Sequence, residues 1–464
     1  MRCPVPSRRL LPAVLLLVAP LLTAARGTAT LPHLALERSE PADASRLSAP
    51  PRQISLWFTA KPQLVFSRIT LTGPAGAVPL DAIVADTGNM LRAPIPQSLA
   101  AGDYTVAWQT ASADGHPIRG RFTFSVSASA AVDPTPSPAP PAAERADTAA
   151  SVAAAADSPS PTDFRSARWL EFVALITILG ALGFRHAVLP PLASRGVPTA
   201  DAADRARRLG QGALLLYAIA AVVRLYGESV ALNGQQQALA PEALLPVLTQ
   251  TSWGMGWSTG IVGALLLFVG WTISTKSVTI GTPLALTGAL GVVAAPALTG
   301  HAASSSSFVL TVTLDMLHVL AAGAWIGGLL MVLLAGIPAM RRLTDGNSDA
   351  AVSALVHSFH PLALFCAPIV VIAGLGTSYL RLGGIAPLTT TRYGATLLVK
   401  LGLFVLVAGA ALYNSLRARR KLGTPAGTSH LRRSAALELF LAALVLAATS
   451  ALVTTPAPSL MASP

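Results

Sequence analysis

Charge is scarce in this sequence. Asp, Glu, Lys and Arg make up only 12% of its 464 residues, about half the ~25% of a typical soluble domain, while hydrophobic residues make up 52%. An ordinary soluble protein is thereby excluded. Cysteine is nearly absent: Cys3 lies in an N-terminal segment of the targeting kind and Cys366 inside a long apolar run. No intrachain disulfide can then staple an exported domain, which must be stable through its core alone. Nothing resembles a nucleotide-binding loop or a phosphorylated-Asp motif, so ATP-driven chemistry is not expected and the chain does not read as an enzyme. The net charge of +12 does not mark a nucleic-acid binder, because the basic residues fall in short loops between apolar runs.

What is present divides the chain into parts. Arg2, Arg8 and Arg9 precede the apolar stretch LLPAVLLLVAPLLT (Leu10–Thr23) and a run of small residues, so residues 1–29 are expected to be a signal peptide cleaved after Ala25 or Ala29. Residues 30–127 contain ISLWFTA, SRITLTG, DYTVAWQT and GRFTFSV, short β-branched and aromatic runs separated by turn signals. With no helical period of any length, an antiparallel β-sandwich is predicted there. Residues 128–163 are Ala/Pro/Ser-rich with nothing to bury and read as a linker.

From residue 164 to 456 the sequence reads as a polytopic helical membrane bundle. Apolar runs of spanning length fall near 168–189, 209–227, 254–274, 279–298, 308–338, 359–380, 394–415 and 433–454; the fourth is interrupted by Pro283 and Pro296. Loops after the odd-numbered runs hold Arg195, Arg205, Arg207, Arg208, Lys276, Arg341, Arg342, Arg417, Arg419, Arg420, Lys421 and Arg432, whereas the other loops hold only Arg381 and Arg392. That asymmetry places the β-domain and the short tail 457–464 outside the cytoplasm. Polar residues within the runs are costly and tend to face the bundle interior. The densest group is GHAASSSS (Gly300–Ser307) followed by LDMLHVLAAGAWIGGL (Leu314–Leu329). Asp315 and His318 are three apart and share a helical face, with His301 at the outer mouth and Met255 on a neighbouring run. The pair reads equally as a packing device or as part of a metal path. Glu171, Arg224, Glu228, Lys400 and Glu438 read as packing pairs or interfacial charges, and His357 and His360 as residues at a helix end.

In the β-domain the stretch SADGHPI (Ser112–Ile118) sets Asp114 and His116 two residues apart, which on an extended strand puts both side chains on one face. Here a resemblance becomes specific. HLALERSEPADAS (His33–Ser45), FSRITLTGP and DYTVAWQTASADGHPIRGRFTFSV resemble a CopC-type periplasmic copper-binding domain. GHAA…LDMLHVLAAGAWIGGLL, SYLRLGG…TRYGATLLVKL and RRSAALELFLAALVLAATSALVTTPAP resemble the CopD copper-resistance family.

The resemblance implies a cupredoxin-like (immunoglobulin-like) sandwich joined to an eight-span, copper-handling membrane domain. It implies Cu(II) ligation by Asp114 and His116, with His33 as the third ligand through its ring and a free N-terminal amine. Cleavage after Ala29 departs from this, since Thr30, Leu31 and Pro32 would precede His33 and remove the amine. Met90 is the domain's single methionine, so the thioether-rich Cu(I) chemistry of some relatives is not expected. The implied function is copper binding outside the cytoplasmic membrane and copper transport across it, inward, by way of His301, Asp315 and His318. Copper, the lipid bilayer and other periplasmic copper-handling proteins are the expected partners. A membrane-anchored copper store or sensor without transport, and a haem-binding oxidoreductase, are the alternatives.

Overall fold

The computed structural model describes residues 34–86, 88–127, 164–300, 308–343, 348–418 and 424–455. The expectations for the signal peptide, the linker, the tail, His33 and His301 lie outside them.

The predicted sandwich is present. It is built from β1 (Leu36–Glu40), β2 (Ser45–Leu47), β3 (Gln53–Phe58), β4 (Arg68–Gly73), β5 (Gly76–Val78), β6 (Val84–Asp86), β7 (Met90–Pro94), β8 (Gly102–Ala111) and β9 (Pro117–Val126). One sheet has the order β1-β3-β7-β6 and the other β2-β9-β8-β4-β5. Alternation drives the packing: Tyr104, Val106 and Trp108 of β8 and Phe122, Phe124 and Val126 of β9 turn inward, with exposed or half-buried residues between them. They meet Ile54, Leu56, Phe58, Leu71 and Leu91 in one core. Tyr104 stacks on Phe124, and Phe58 meets Trp108 edge-on. Each such side chain contributes roughly 1.5–3 kcal/mol on burial. Gly120 lies under the Trp108 ring, where an added Cβ would come within 2.5 Å of it.

All eight apolar runs become helices long enough to span a bilayer. They are α1 (Arg165–Ala193), α2 (Ala200–Asn233), α4 (Ser252–Ser274), α5 (Val278–Leu298), α6 (Phe308–Met340), α7 (Ser348–Leu382), α8 (Arg392–Leu416) and α9 (Ala426–Val453). A shorter helix that the sequence did not announce, α3 (Pro241–Gln250), precedes α4. The fourth run is one continuous helix despite its prolines, which lie near its two ends, where few backbone bonds are lost. Close helix approach depends on glycine: a Cβ on Gly180 of α1 would fall 2.2 Å from the backbone of Gly327 in α6.

By internal contacts the chain forms two compact units. One joins the sandwich with Tyr226–Gly254, the segment comprising the end of α2, α3 and the first residues of α4; the other holds the remaining helices.

Candidate metal centre

Asp114 and His116 are brought together, though not as the sequence suggested. They do not lie on a strand; they form the tip of the hairpin between β8 and β9. The turn closes through Gly115 N–H donating to the Ser112 carbonyl at 3.0 Å, and Gly115 takes φ +90°, a conformation open to glycine at little cost. Asp114 is fixed within this turn: its Oδ1 accepts from the Ser112 hydroxyl and, at 3.1 Å, from His116 N–H. Its Oδ2 is left facing His116 Nδ1 at 3.2 Å. Turn geometry, rather than strand alternation, makes the pair.

Burial opposes charge on both groups, but each is outweighed by the other. The hydrogen bond and charge of His116, with the Ser112 hydroxyl, hold the Asp114 carboxyl well below its usual range. Desolvation would lower the His116 imidazole, yet the hydrogen bond and charge of Asp114, then the charge of Glu228, push it up to about 9. The ion pair therefore favours the fold below the imidazole's usual value and loses that effect as pH rises through about 9. The ring is 52% exposed, so water screens much of this and the pair adds little to stability. A carboxylate oxygen and an imidazole nitrogen are donors suited to a divalent transition metal, which would replace the shared proton.

Leu34 and Ala35 enter the sandwich at the same end as this tip. Ala35 N–H donates to Thr59 Oγ1 at 2.9 Å, and Gln63, four residues further on, donates its N–H to the Ala111 carbonyl at 2.8 Å, next to the turn. Leu34 and Ala35 thus lie at the end of the sandwich where β8 turns into β9.

In the helical unit Asp315 and His318 line a common cavity of about 100 Å³, together with Arg381, Tyr393, Lys400 and Gly300, the residue before His301. They do not bind each other. Asp315 Oδ2 pairs with Arg381 at 2.5 Å, and Tyr393 bonds the same guanidinium. Arg381, counted above as a loop residue, is in the last turn of α7 and half-buried against this carboxylate, a partnership that charge counting could not reveal. His318 Nδ1 lies 2.9 Å from the Val370 carbonyl, so Nδ1 carries the proton and Nε2 keeps its lone pair for a ligand. Gly374 makes room for this ring, since a Cβ there would come 2.9 Å from His318 Cε1. A larger adjoining cavity, about 350 Å³, is lined by His318, Trp325, Phe404 and Lys400.

Met255 is 60% exposed and outside both cavities, so it takes no part in a path with these residues. Of the two readings left open for these charges, Glu171 and Arg224 take that of a packing pair, at 2.7 Å; Glu438 accepts from Asn414 at 3.0 Å, and His357 bonds the Ser353 carbonyl within its own helix. Among the described residues no three His, Cys, Asp or Glu side chains converge as a ready-made metal site.

Three family models match in chain order: CopC domain over residues 36–127, Copper resistance protein D-like, N-terminal domain over 164–309, and Copper resistance protein D over 353–452. The chain is a CopC–CopD fusion. The fusion is 25% identical to Copper transport protein CutJ of Bacillus subtilis (strain 168) over 406 residues, covering 84% of this chain and 69% of that one. Its sandwich is 36% identical to Copper resistance protein C of Escherichia coli over 103 residues, 20% of this chain and 80% of the relative. Among solved structures, the methionine-rich copper resistance protein PcoC of Escherichia coli matches with 31% identity, covering 20% of this chain and 98% of that chain, with a TM-score of 0.19.

A divalent metal bound at the fusion's hairpin tip would compete with the proton on His116. Apparent Cu(II) affinity is expected to rise about tenfold per pH unit from pH 6.5 to 8, because the proton is held up to about 9. Competition titrations with a chelator across that range check this; a flat profile would show that His116 is not the proton-coupled ligand.

Proposed function

We propose that this fusion captures Cu(II) outside the cytoplasmic membrane with Asp114, His116 and His33 and carries copper inward across it past His301, Asp315 and His318. The CopC and CopD domains support copper binding and copper resistance or transport as the general role. The observation that carries the specific reading is the Asp114–His116 pair, fixed at the hairpin tip with one carboxylate oxygen facing one imidazole nitrogen. The mechanism follows from the donor sets. At the tip an oxygen and a nitrogen take the ion as the shared proton leaves, and His33 adds a second imidazole. In the bundle the His318 Nε2 lone pair offers the next nitrogen donor. An inside-negative membrane potential favours inward movement of a cation by about 2.3 kcal/mol per charge per 100 mV.

One observation favours the second reading, a tethered copper store without transport. Arg381 and Lys400 face a single carboxylate, Asp315, in the smaller cavity, and this excess of positive charge opposes a bare cation. Copper would have to pass with compensating anions. Uptake of copper into liposomes holding the purified full chain separates the two: entry favours transport, and tight binding without entry favours the store.

A further inference from the structure

Lys400 stands eight residues into α8, about 12 Å along its axis, and makes no hydrogen bond or ion pair among the described residues. It lines the smaller cavity of the helical unit with Arg168 of α1, Arg381 of α7 and a single carboxylate, Asp315 of α6. Arg168 is 5% exposed and reaches Glu171 at 3.7 Å and Thr299 Oγ1 at 3.5 Å. Glu171 is itself held by Arg224 at 2.7 Å. Three cations therefore face one carboxylate at the cavity, and adding the Glu171–Arg224 pair leaves the same excess of two positive charges. Such an excess inside a bundle is costly without an answering negative charge.

Hydrogen-bond donors are in excess as well. Arg381 spends one terminal nitrogen on Asp315 at 2.5 Å, while its Nε–H is buried and meets no acceptor among the described residues. Arginine has only donors, so Tyr393 accepts from this guanidinium and keeps its own O–H to give. Arg381 Nε, the Tyr393 hydroxyl and the Lys400 ammonium thus belong to three side chains of one cavity, each with a hydrogen to offer. His318 offers none, because its Nδ1–H is spent on the Val370 carbonyl. An N–H that is buried without an acceptor calls for one.

We propose that this cavity binds a small monovalent anion, a halide or a short carboxylate, on Lys400, Arg381 and Tyr393. Charge and donors both ask for an acceptor-only ligand, and guanidinium and ammonium groups are the side chains that hold anions. Size limits the choice. The cavity measures about 100 Å³. One water needs roughly 10–15 Å³ on the same scale, so a chloride or an acetate enters with a few waters and a nucleotide does not. A bound anion brings the cavity closer to neutrality and lowers the charge barrier to a cation near His318. That consequence rests on the transport reading; the anion site does not.

The test is chlorine nuclear magnetic resonance of sodium chloride solutions containing the purified full-length protein in detergent and no copper, in which bound chloride broadens the line. The unaltered chain is compared with Lys400→Met, Lys400→Arg, Asp315→Asn and, as a control, Lys276→Met at an exposed position. Expected is saturable broadening whose affinity falls about tenfold or more in Lys400→Met and persists in Lys400→Arg and Lys276→Met. Asp315→Asn is expected to tighten chloride binding, because it removes the carboxylate that competes for Arg381; a merely structural lysine predicts no such gain. Acetate that narrows the line shows that a short carboxylate takes the same site, and acetate without effect restricts it to halide. Should Lys400→Met fold poorly, Lys400→Gln and Asp315→Asn carry the comparison. Folded, unaltered protein with no saturable broadening beyond that of Lys400→Met or Lys400→Gln overturns the site. Since no copper is present, that failure leaves the copper reading standing.

Discussion

Changing Asp114 to Asn and His116 to Gln together is expected to remove the proposed Cu(II) binding at the sandwich, with a loss of affinity of more than about 100-fold, while the fold persists. Loss of groups that merely orient a ligand costs about 10–100-fold, and on the proposed reading these two are the donors themselves. The fold survives because both residues are in a turn outside the core formed by residues such as Leu56, Phe58, Val106 and Phe124. Asn retains an oxygen to accept from Ser112 and from His116 N–H, so the turn keeps its local bonds. Isothermal titration with Cu(II), alongside a thermal melt without metal, reads both halves. Undiminished binding in the folded double variant would remove these residues from the site.

The second large effect is on stability. Arg381→Met leaves the half-buried Asp315 carboxylate without its 2.5 Å partner; breaking a fully buried pair costs about 3–5 kcal/mol and an exposed one under about 1, so a loss between these is expected. Adding Asp315→Asn removes the stranded charge and is expected to recover most of the loss. Unfolding in detergent, followed for both single variants and the double, measures the coupling. Equal destabilisation by the double variant would mean that the pair is not what holds α6 to α7 at this point. The same variants bear on transport, because a purely structural Asp315 is dispensable for copper movement once its charge partner is gone.

Much of the architecture was legible because it follows from one-dimensional patterns. Eight apolar runs of spanning length gave eight helices, and alternation such as Tyr104-Val106-Trp108 gave the strands that bury them. The Asp114–His116 pair was legible as residue types at a short spacing, but its geometry was not. An i, i+2 pair is compatible with a strand and with a turn, and Gly115 decided for the turn. Partnerships between distant residues were not legible at all. Arg381 with Asp315 spans 66 positions, and the carbonyls of Ala231 to Asn233 meet Arg119, Gln109 and Arg68 from more than a hundred positions away. A single sequence carries no trace of such long-range pairing, because each member alone reads as an ordinary charge in or near an apolar segment. His318 was found from its cost in the membrane, whereas the need for Gly374 beside its ring emerges only from packing.

The central claim is that the ion bound at the hairpin tip goes on to cross the membrane, and copper entry into sealed liposomes containing the purified full chain tests it most directly. Vesicles held inside-negative, with Cu(II) outside, would be compared for the unaltered protein, Asp114→Asn/His116→Gln and His318→Ala. The expected result is entry above protein-free vesicles, accelerated by the potential and lost in both variants. Folded, outward-facing protein that binds Cu(II) tightly and admits none would contradict it.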